Sequence, residues 1–136
     1  MHDILTQTDV AELVDAFYKK VVVDDVIGYL FTDVVALSWD EHIPIMNDFW
    51  GSILLNSGAY RRNPMRKHLE LDKRERLLPT HFERWLALWQ QTIAEHFDGP
   101  KADFALARAR QIAAVMQHRV EEDRSLDRPE MFRMTE

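Results

Sequence analysis

The sequence predicts an all-α fold, and three of its features carry that prediction. Apolar residues recur at steps of three and four over long stretches, which is the spacing of one buried helix face. Capping residues and a proline stand where several of these stretches begin, as they do at helix starts. The sequence contains no segment in which apolar and polar residues alternate as they do in half-buried strands.

The first predicted helix begins near Asp9, which with Glu12 is interpreted as a variant capping box. Its inward face comprises Val10, Leu13, Val14, Phe17, Tyr18 and Val21. Tyr18 brings a hydroxyl to that face, and a buried hydroxyl needs a hydrogen-bond partner. The stretch 24–31 is predicted to be a break followed by a short helix, with Phe31 as a core aromatic residue.

The second predicted helix carries a proline close to its start. Ser38 and Glu41 are interpreted as its capping box. Because Pro44 comes too late for a regular first turn, we expect a loose or 3₁₀ turn before the helix resumes. Gly58 is expected to end the helix. His42 stands at the head of an apolar face made of Met46, Phe49, Trp50, Ile53 and Leu54.

A short helix is predicted in the stretch NPMRKHLEL, with Asn63 as its cap and Pro64 as its first residue. His68 lies one turn into this helix. Met65 and Leu69 stand at spacings of three and one from His68, so the three residues can share an inward face. Periodicity therefore predicts that His68 points to the interior, but it does not assign a role to the imidazole.

Two longer helices are predicted in the second half of the chain. Thr80 and Glu83 are interpreted as the capping box of the first, which the sequence DGP at 98–100 ends. Its inward face comprises Phe82, Trp85, Leu86, Trp89, Ile93 and Phe97. The inward face of the last helix is predicted to comprise Phe104, Ile112, Val115, Met116 and Val120. The segment from about 124 to 136 has no clear period and is interpreted as a polar tail.

The histidines lie singly on different segments, so no zinc motif is present in the sequence. HFERW differs from the zinc-binding H-E-x-x-H pattern because Trp85 stands where the second histidine would be. A lone inward histidine such as His42, His68 or His81 is more often a hydrogen-bonded core residue than a ligand. However, the donors of Tyr18 and Trp85 on two further helices would converge with them in an apolar interior, which favours a pocket.

Composition excludes several other classes of protein. The 136 residues are enough for one domain, spanning 1–136. The 17 Lys and Arg against 23 Asp and Glu give a net charge of -6, which argues against a nucleic-acid partner. No cysteine is present, so disulfides and iron–sulfur clusters are excluded. Neither a signal peptide nor an apolar run of the roughly 20 residues that span a membrane is found, so we expect a cytoplasmic protein.

Six motifs, taken in order, resemble the third group of the truncated haemoglobins. They are AFYKKV, YLF, WDEHIPIMNDFWGSILL, RKHLEL, HFERWLALW and RARQIAAVMQ, and they span about residues 10–120. The FW pair followed by a short loop and KHL is the most specific. The resemblance implies a single truncated-globin domain, a compact two-over-two helical sandwich around b-type haem. The poorly helical start of the distal helix in this group agrees with Pro44.

The same resemblance assigns roles to individual residues. By motif, the proximal iron ligand falls on His68. The distal pocket residues fall on Tyr18, His42 and Trp85. Apolar haem contacts are expected from Phe31, Met46, Phe49, Trp50 and Leu69. Proximity to His68 in the sequence, rather than a family motif, suggests which residues contact the haem propionates, since charge-assisted hydrogen bonds bind carboxylates best; they are Tyr60, Arg62, Arg66 and Lys67. The alternative is that these four are solvated surface residues.

A function follows from the resemblance as an expectation. It implies a monomeric haem protein that binds O2, with NO, CO and peroxide as further ligands. The polar distal site favours redox or ligand chemistry on the gas, such as NO dioxygenation or peroxide handling with an external reductase, over simple O2 transport. Whether the protein is an enzyme stays open. The alternative from another class is a cofactor-free all-α interaction module whose aromatic residues fill the core.

Overall fold

Helices make up the regular structure of the chain. The computed structural model describes residues 1–36, 38–60 and 64–126, and of residues 64, 66, 125 and 126 the backbone alone. The elements are α1 (Gln7–Val21), a π-helix (Leu30–Val34), α2 (Trp39–Leu54), α3 (Pro64–Arg74), α4 (Pro79–His96) and α5 (Pro100–Leu126). No strand occurs within these ranges, and the predicted all-α class is confirmed. None of the described helices has the length and apolarity needed to cross a membrane.

The core is centred on Trp89 of α4, which is fully buried. Its ring stacks on Trp50 of α2 at 4.5 Å and meets Phe17 of α1 edge-on at 5.0 Å between ring centroids. Its indole N–H donates to the carbonyl oxygen of Ala105 of α5 at 3.2 Å. Four helices therefore meet around one side chain. Beside them, α3 packs mainly against α5.

The first helix has the predicted inward face but a different cap. All six residues of that face are buried. The Thr6 hydroxyl accepts a hydrogen bond from the Asp9 N–H at 3.1 Å, and the Asp9 carboxylate accepts one from the Thr6 N–H at 3.0 Å. The predicted Asp9–Glu12 box is therefore wrong, because Thr6 supplies a capping oxygen one turn earlier and makes Asp9 the third helical residue.

The start of α2 also differs from the prediction. The helix is regular from Trp39 and runs through Pro44 without a 3₁₀ turn. Ser38 occupies the cap position but its side chain makes no capping hydrogen bond, so the predicted box with Glu41 does not form. Pro44 leaves the carbonyl of Asp40 without its helical partner, and Asp40 is exposed to water, which can replace that partner.

The two remaining capping predictions fail for local reasons. α2 ends at Leu54, before Gly58, because Asn56 adopts the left-handed conformation with φ of 57°. α4 begins at Pro79, so Thr80 lies inside the helix and the predicted box with Glu83 does not form. α3 does begin at Pro64, as predicted, and its predicted cap Asn63 lies outside the described residues.

The buried face of α5 is a stripe of small residues. It comprises Ala102, Ala105, Ala109 and Ala113, followed by Met116 and Val120. The predicted inward positions of Phe104 and Val115 are wrong, since these side chains are 48% and 54% exposed. Small side chains let α5 approach α4 closely enough for the contact between Trp89 and the Ala105 carbonyl.

We expect Ala109→Leu to destabilise the protein by about 1–3 kcal/mol, because Ala109 is fully buried where α5 meets its neighbours and a larger side chain overpacks the contact. Ala107→Leu makes the same change at an exposed position of α5 and serves as the control. Urea unfolding of the two variants measures the difference. Equal stabilities would contradict the close approach of α5.

Candidate functional site

An apolar cavity lies between the helices. Its volume is about 150 Å³. All five α-helices and the π-helix contribute side chains to the lining, most of them aromatic or aliphatic. The cavity therefore forms only when all of these helices are packed together.

Most of the predicted site residues meet at this cavity. Those that line it are Tyr18, Phe31, His42, Met46, Phe49, Trp50, His68 and Trp85. Leu69 packs against the core instead, and Leu71 of the same helix lines the cavity. Sequence reasoning chose Leu69 from this helix and did not name Leu71. The roles of these residues toward a cofactor stay predictions.

The residues expected at the propionates are not all described. Tyr60 contacts the ring of Phe49 edge-on at 5.0 Å and lines a separate, acidic pocket at the surface. Lys67 is exposed. Arg62 and the side chain of Arg66 lie outside the described residues. The propionate contacts therefore stay a prediction.

Two polar side chains from α1 and α2 face each other at the cavity. The rings of Tyr18 and His42 meet edge-on with centroids 4.9 Å apart. The Nε2 atom of His42 is buried without a hydrogen-bond partner in the described part of the chain. Burial, with an added contribution from the charge of His68, lowers the pKa of His42 to about 4. The imidazole is thus neutral at pH 7, and its ring nitrogens include one donor and one acceptor.

The other donors at this end of the cavity are a phenol and an indole. Burial raises the pKa of Tyr18, so its hydroxyl keeps its proton. Trp85 lies parallel to Trp89 at 6.3 Å and edge-on to Phe17 at 6.0 Å. Within the described ranges, neither the Tyr18 hydroxyl nor the Trp85 N–H makes a hydrogen bond. Both donors are available to a molecule in the cavity.

His81 also lines the cavity, but both of its ring nitrogens are used. Nδ1 accepts the N–H of Leu78 at 3.0 Å, so the proton is on Nε2, which donates to the Tyr29 hydroxyl at 3.2 Å. Burial lowers the pKa of His81, which keeps the ring neutral. The side chain thus caps α4. Its position as the third helical residue was a signal for this role that sequence reasoning missed.

The polar side chain that α3 brings to the cavity is His68, which is half-buried. Among the described residues, no group of three or more His, Cys, Asp or Glu is arranged to hold a metal ion. One histidine suits haem iron, which brings its own ring of nitrogen ligands and takes a single protein histidine in globins. Apolar walls, His68 and the unpaired Nε2 of His42 therefore fit a haem.

Fold and cavity together define a small all-α protein with a globin-type haem pocket. The chain is 30% identical over 119 residues to the group 3 truncated hemoglobin ctb of Campylobacter jejuni, across 85% of this chain and 91% of that one. The crystal structure of the group III truncated hemoglobin from Campylobacter jejuni matches with a TM-score of 0.78 at 29% identity, across 88% of this chain and 95% of that one. No family model matches.

The chain belongs to the group III truncated haemoglobins. This finding confirms both the resemblance in the sequence and the globin-like fold that it implied. It makes the protein a haem globin with gas binding.

The titration of His42 predicts a pH dependence of stability in the haem-free protein. Its pKa is about 4 when folded against 6.5 for an unburied histidine, so the unfolded chain takes up a proton first as the pH falls. The contribution of His42 to stability is therefore complete above about pH 6.5 and is lost between about pH 6.5 and 4. We expect the free energy of unfolding of His42→Gln, measured with urea, to fall less than that of the native protein between about pH 6.5 and 4.

His118→Gln, which removes an exposed histidine, is the matched control and should decline as the native protein does. Parallel stability curves for the native protein and His42→Gln would contradict the burial of a neutral His42.

Proposed function

We propose that this protein holds b-type haem with His68 as the axial ligand and binds O2 beside Tyr18, His42 and Trp85. The observation that carries the proposal is the buried, unpaired Nε2 of His42 in the apolar cavity that His68 also lines. Buried polar atoms in folded proteins almost always have a partner. A ligand in this cavity would supply the missing one.

His68 supplies the bond to the metal in this proposal. A neutral imidazole binds iron through one ring nitrogen, while an acceptor elsewhere in the protein orients the ring through the other. When bound, haem supplies an iron with one coordination position open to a diatomic gas. α3 presents His68 and Leu71 to the cavity together, so this helix forms the proximal wall.

The apolar lining has two consequences for a bound gas. Aromatic and aliphatic side chains such as Phe31, Met46 and Phe49 bury the flat face of a porphyrin and exclude water. In this low-dielectric space, each hydrogen bond from the protein is stronger than it would be in water. The few polar groups at the cavity therefore decide which ligands are retained.

Those polar groups favour O2 over CO. O2 held at a ferrous haem would draw electron density and accept hydrogen bonds, whereas CO would stay much less polar. The Tyr18 hydroxyl and the Trp85 N–H are donors, and His42 can donate or accept. Retention of O2 suits its reaction with NO, with electrons from an external reductase, better than transport. Peroxide would be an alternative ligand at the same site.

The alternative, a cofactor-free interaction module, explains less. It accounts for the aromatic core, but it leaves His42 with a permanently unpaired buried nitrogen, which is costly. Membership in a family of haem globins also supports the haem proposal.

We expect His68→Ala to lose tight haem retention or the histidine-ligated absorption spectrum, and added imidazole to restore a histidine-like spectrum. The cavity left by the substitution admits the free ring. His42→Ala and His81→Ala are the matched controls, since they remove other histidines that line the cavity. A histidine-ligated spectrum lost in His81→Ala but kept in His68→Ala would show that the ligand is assigned to the wrong residue.

We expect Tyr18→Phe and Trp85→Phe each to speed the release of O2. Loss of one hydrogen bond in a dry pocket costs about 1–3 kcal/mol, or roughly ten- to a hundred-fold in rate. The release of CO should change far less, because bound CO would be much less polar. Stopped-flow displacement measures all of these rates.

CO release from the same variants is the control for this series, because it reports any change in access to the cavity that does not depend on a hydrogen bond to the ligand. If the rate of O2 release were unchanged in both Tyr18→Phe and Trp85→Phe, the two side chains would not hydrogen-bond the ligand and would only fill the core.

A further inference from the structure

The helix that carries His68 has little apolar surface to hold it in place. Seven of the 11 residues of α3 have ionisable side chains. Its apolar residues Met65, Leu69 and Leu71 are only half-buried. α3 packs mainly against α5. Because burial of apolar surface normally fixes a helix on its neighbours, polar contacts should contribute more to the position of α3 than to that of the other helices.

A buried ion pair joins the last turn of α3 to α5. The Asp72 side chain is 4% exposed, and its oxygens accept hydrogen bonds from Arg124 at 2.6 Å (Nη2) and 3.1 Å (Nε). The same carboxylate accepts the N–H of Leu77 at 2.8 Å. Arg124 Nη2 also donates to the Leu77 carbonyl at 2.5 Å. We call Asp72, Arg124 and the backbone of Leu77 the clamp.

The charges of the clamp are matched. Burial by itself would raise the pKa of Asp72, but hydrogen bonds from Arg124 and Leu77 and the nearby positive charge hold that pKa below its usual range. Asp72 is therefore ionised at neutral pH. Removal of Arg124 would leave the nearly buried charge of Asp72 without compensation, which is destabilising.

The clamp is coupled to the cavity through two routes. Asp72 follows His68 by four residues, so the two side chains lie on the same side of α3, one turn apart. Leu77, whose N–H and carbonyl are both held, is buried and lines the cavity with His68. A shift at the clamp would move both the helix that presents the imidazole and the wall beside it.

We propose that Asp72 and Arg124 are positioning residues that set the orientation of His68 toward haem iron. The inference rests on the proposed function, since it assigns the clamp a role in the iron–histidine bond. Neither residue lines the cavity, so both act through α3 and Leu77. The rival role is structural alone, in which the clamp only fastens the end of α5.

The test uses the full-length, haem-loaded protein and two readouts. The first is the iron–histidine stretching band of the ferrous, gas-free protein in resonance Raman spectra, which a purely structural role would leave unmoved. The second is the rate of haem loss to an excess of apomyoglobin. The variants are Asp72→Asn, Arg124→Gln and Arg124→Lys. Arg119→Gln, at an exposed arginine of α5 that pairs with Glu122, is the matched control.

We expect Asp72→Asn and Arg124→Gln to shift or broaden the iron–histidine band and to speed haem loss by up to about 10-fold. This is the lower end of the range for groups that hydrogen-bond a metal-ligating histidine directly, because the clamp acts on His68 only through α3 and Leu77. Arg124→Lys keeps the charge but loses the two-pronged geometry, so it should give a smaller shift in the same direction. Arg119→Gln should match the native protein in both readouts.

Unmoved bands in all three clamp variants would overturn the inference, even if their melting temperatures fell. If Asp72→Asn or Arg124→Gln fails to fold, Arg124→Lys decides the question, and a native band in that variant overturns the inference. A native protein without an iron–histidine band would refute the proposed function, and the inference with it. A native band that all three variants retain refutes the inference alone.

Discussion

An unpaired Nε2 of His42 inside an apolar cavity is the constraint around which the site is arranged. Elsewhere along the cavity the protein satisfies its buried polar groups itself. His81, for example, is held by Leu78 and by Tyr29. At His42, Tyr18 and Trp85, polar atoms that face the cavity have no hydrogen-bond partner within the described part of the chain. An unpaired buried polar atom is energetically costly, and a ligand in the cavity would offset that cost, which ties the pocket to its proposed function.

Two kinds of anchoring hold the walls of the pocket. On the side formed by α1, α2 and α4, aromatic rings pack around Trp89 and hold the helices that carry the polar groups. The side formed by α3 is polar and depends on the clamp of Asp72 and Arg124. An ion pair has a narrower geometry than an apolar contact, which makes it suited to orienting a metal ligand. Aromatic packing therefore positions the residues on one wall, and an ion pair positions those on the other.

Sequence reasoning succeeded where the signal was local and periodic. The inward face of α1 follows from its spacing, and motifs brought His68, His42 and Tyr18 to one cavity before the fold was known. It failed at helix ends. Thr6 rather than Asp9 caps α1, and the left-handed conformation of Asn56 ends α2 before Gly58. It also failed on α5, because small residues rather than large ones define the buried face. Asp72 and Arg124 lie 52 residues apart in the sequence, so no local pattern predicts their ion pair.

The central claim is that the cavity receives one haem. Its most direct test is a titration of haem into the haem-free protein, followed by both the Soret band and the tryptophan fluorescence. Trp50 and Trp85 line the cavity, so haem bound there quenches their emission. We expect a sharp Soret band and fluorescence quenching that both reach their end point at one equivalent of haem. No Soret band after haem addition, or quenching that grows without an end point, would contradict the claim.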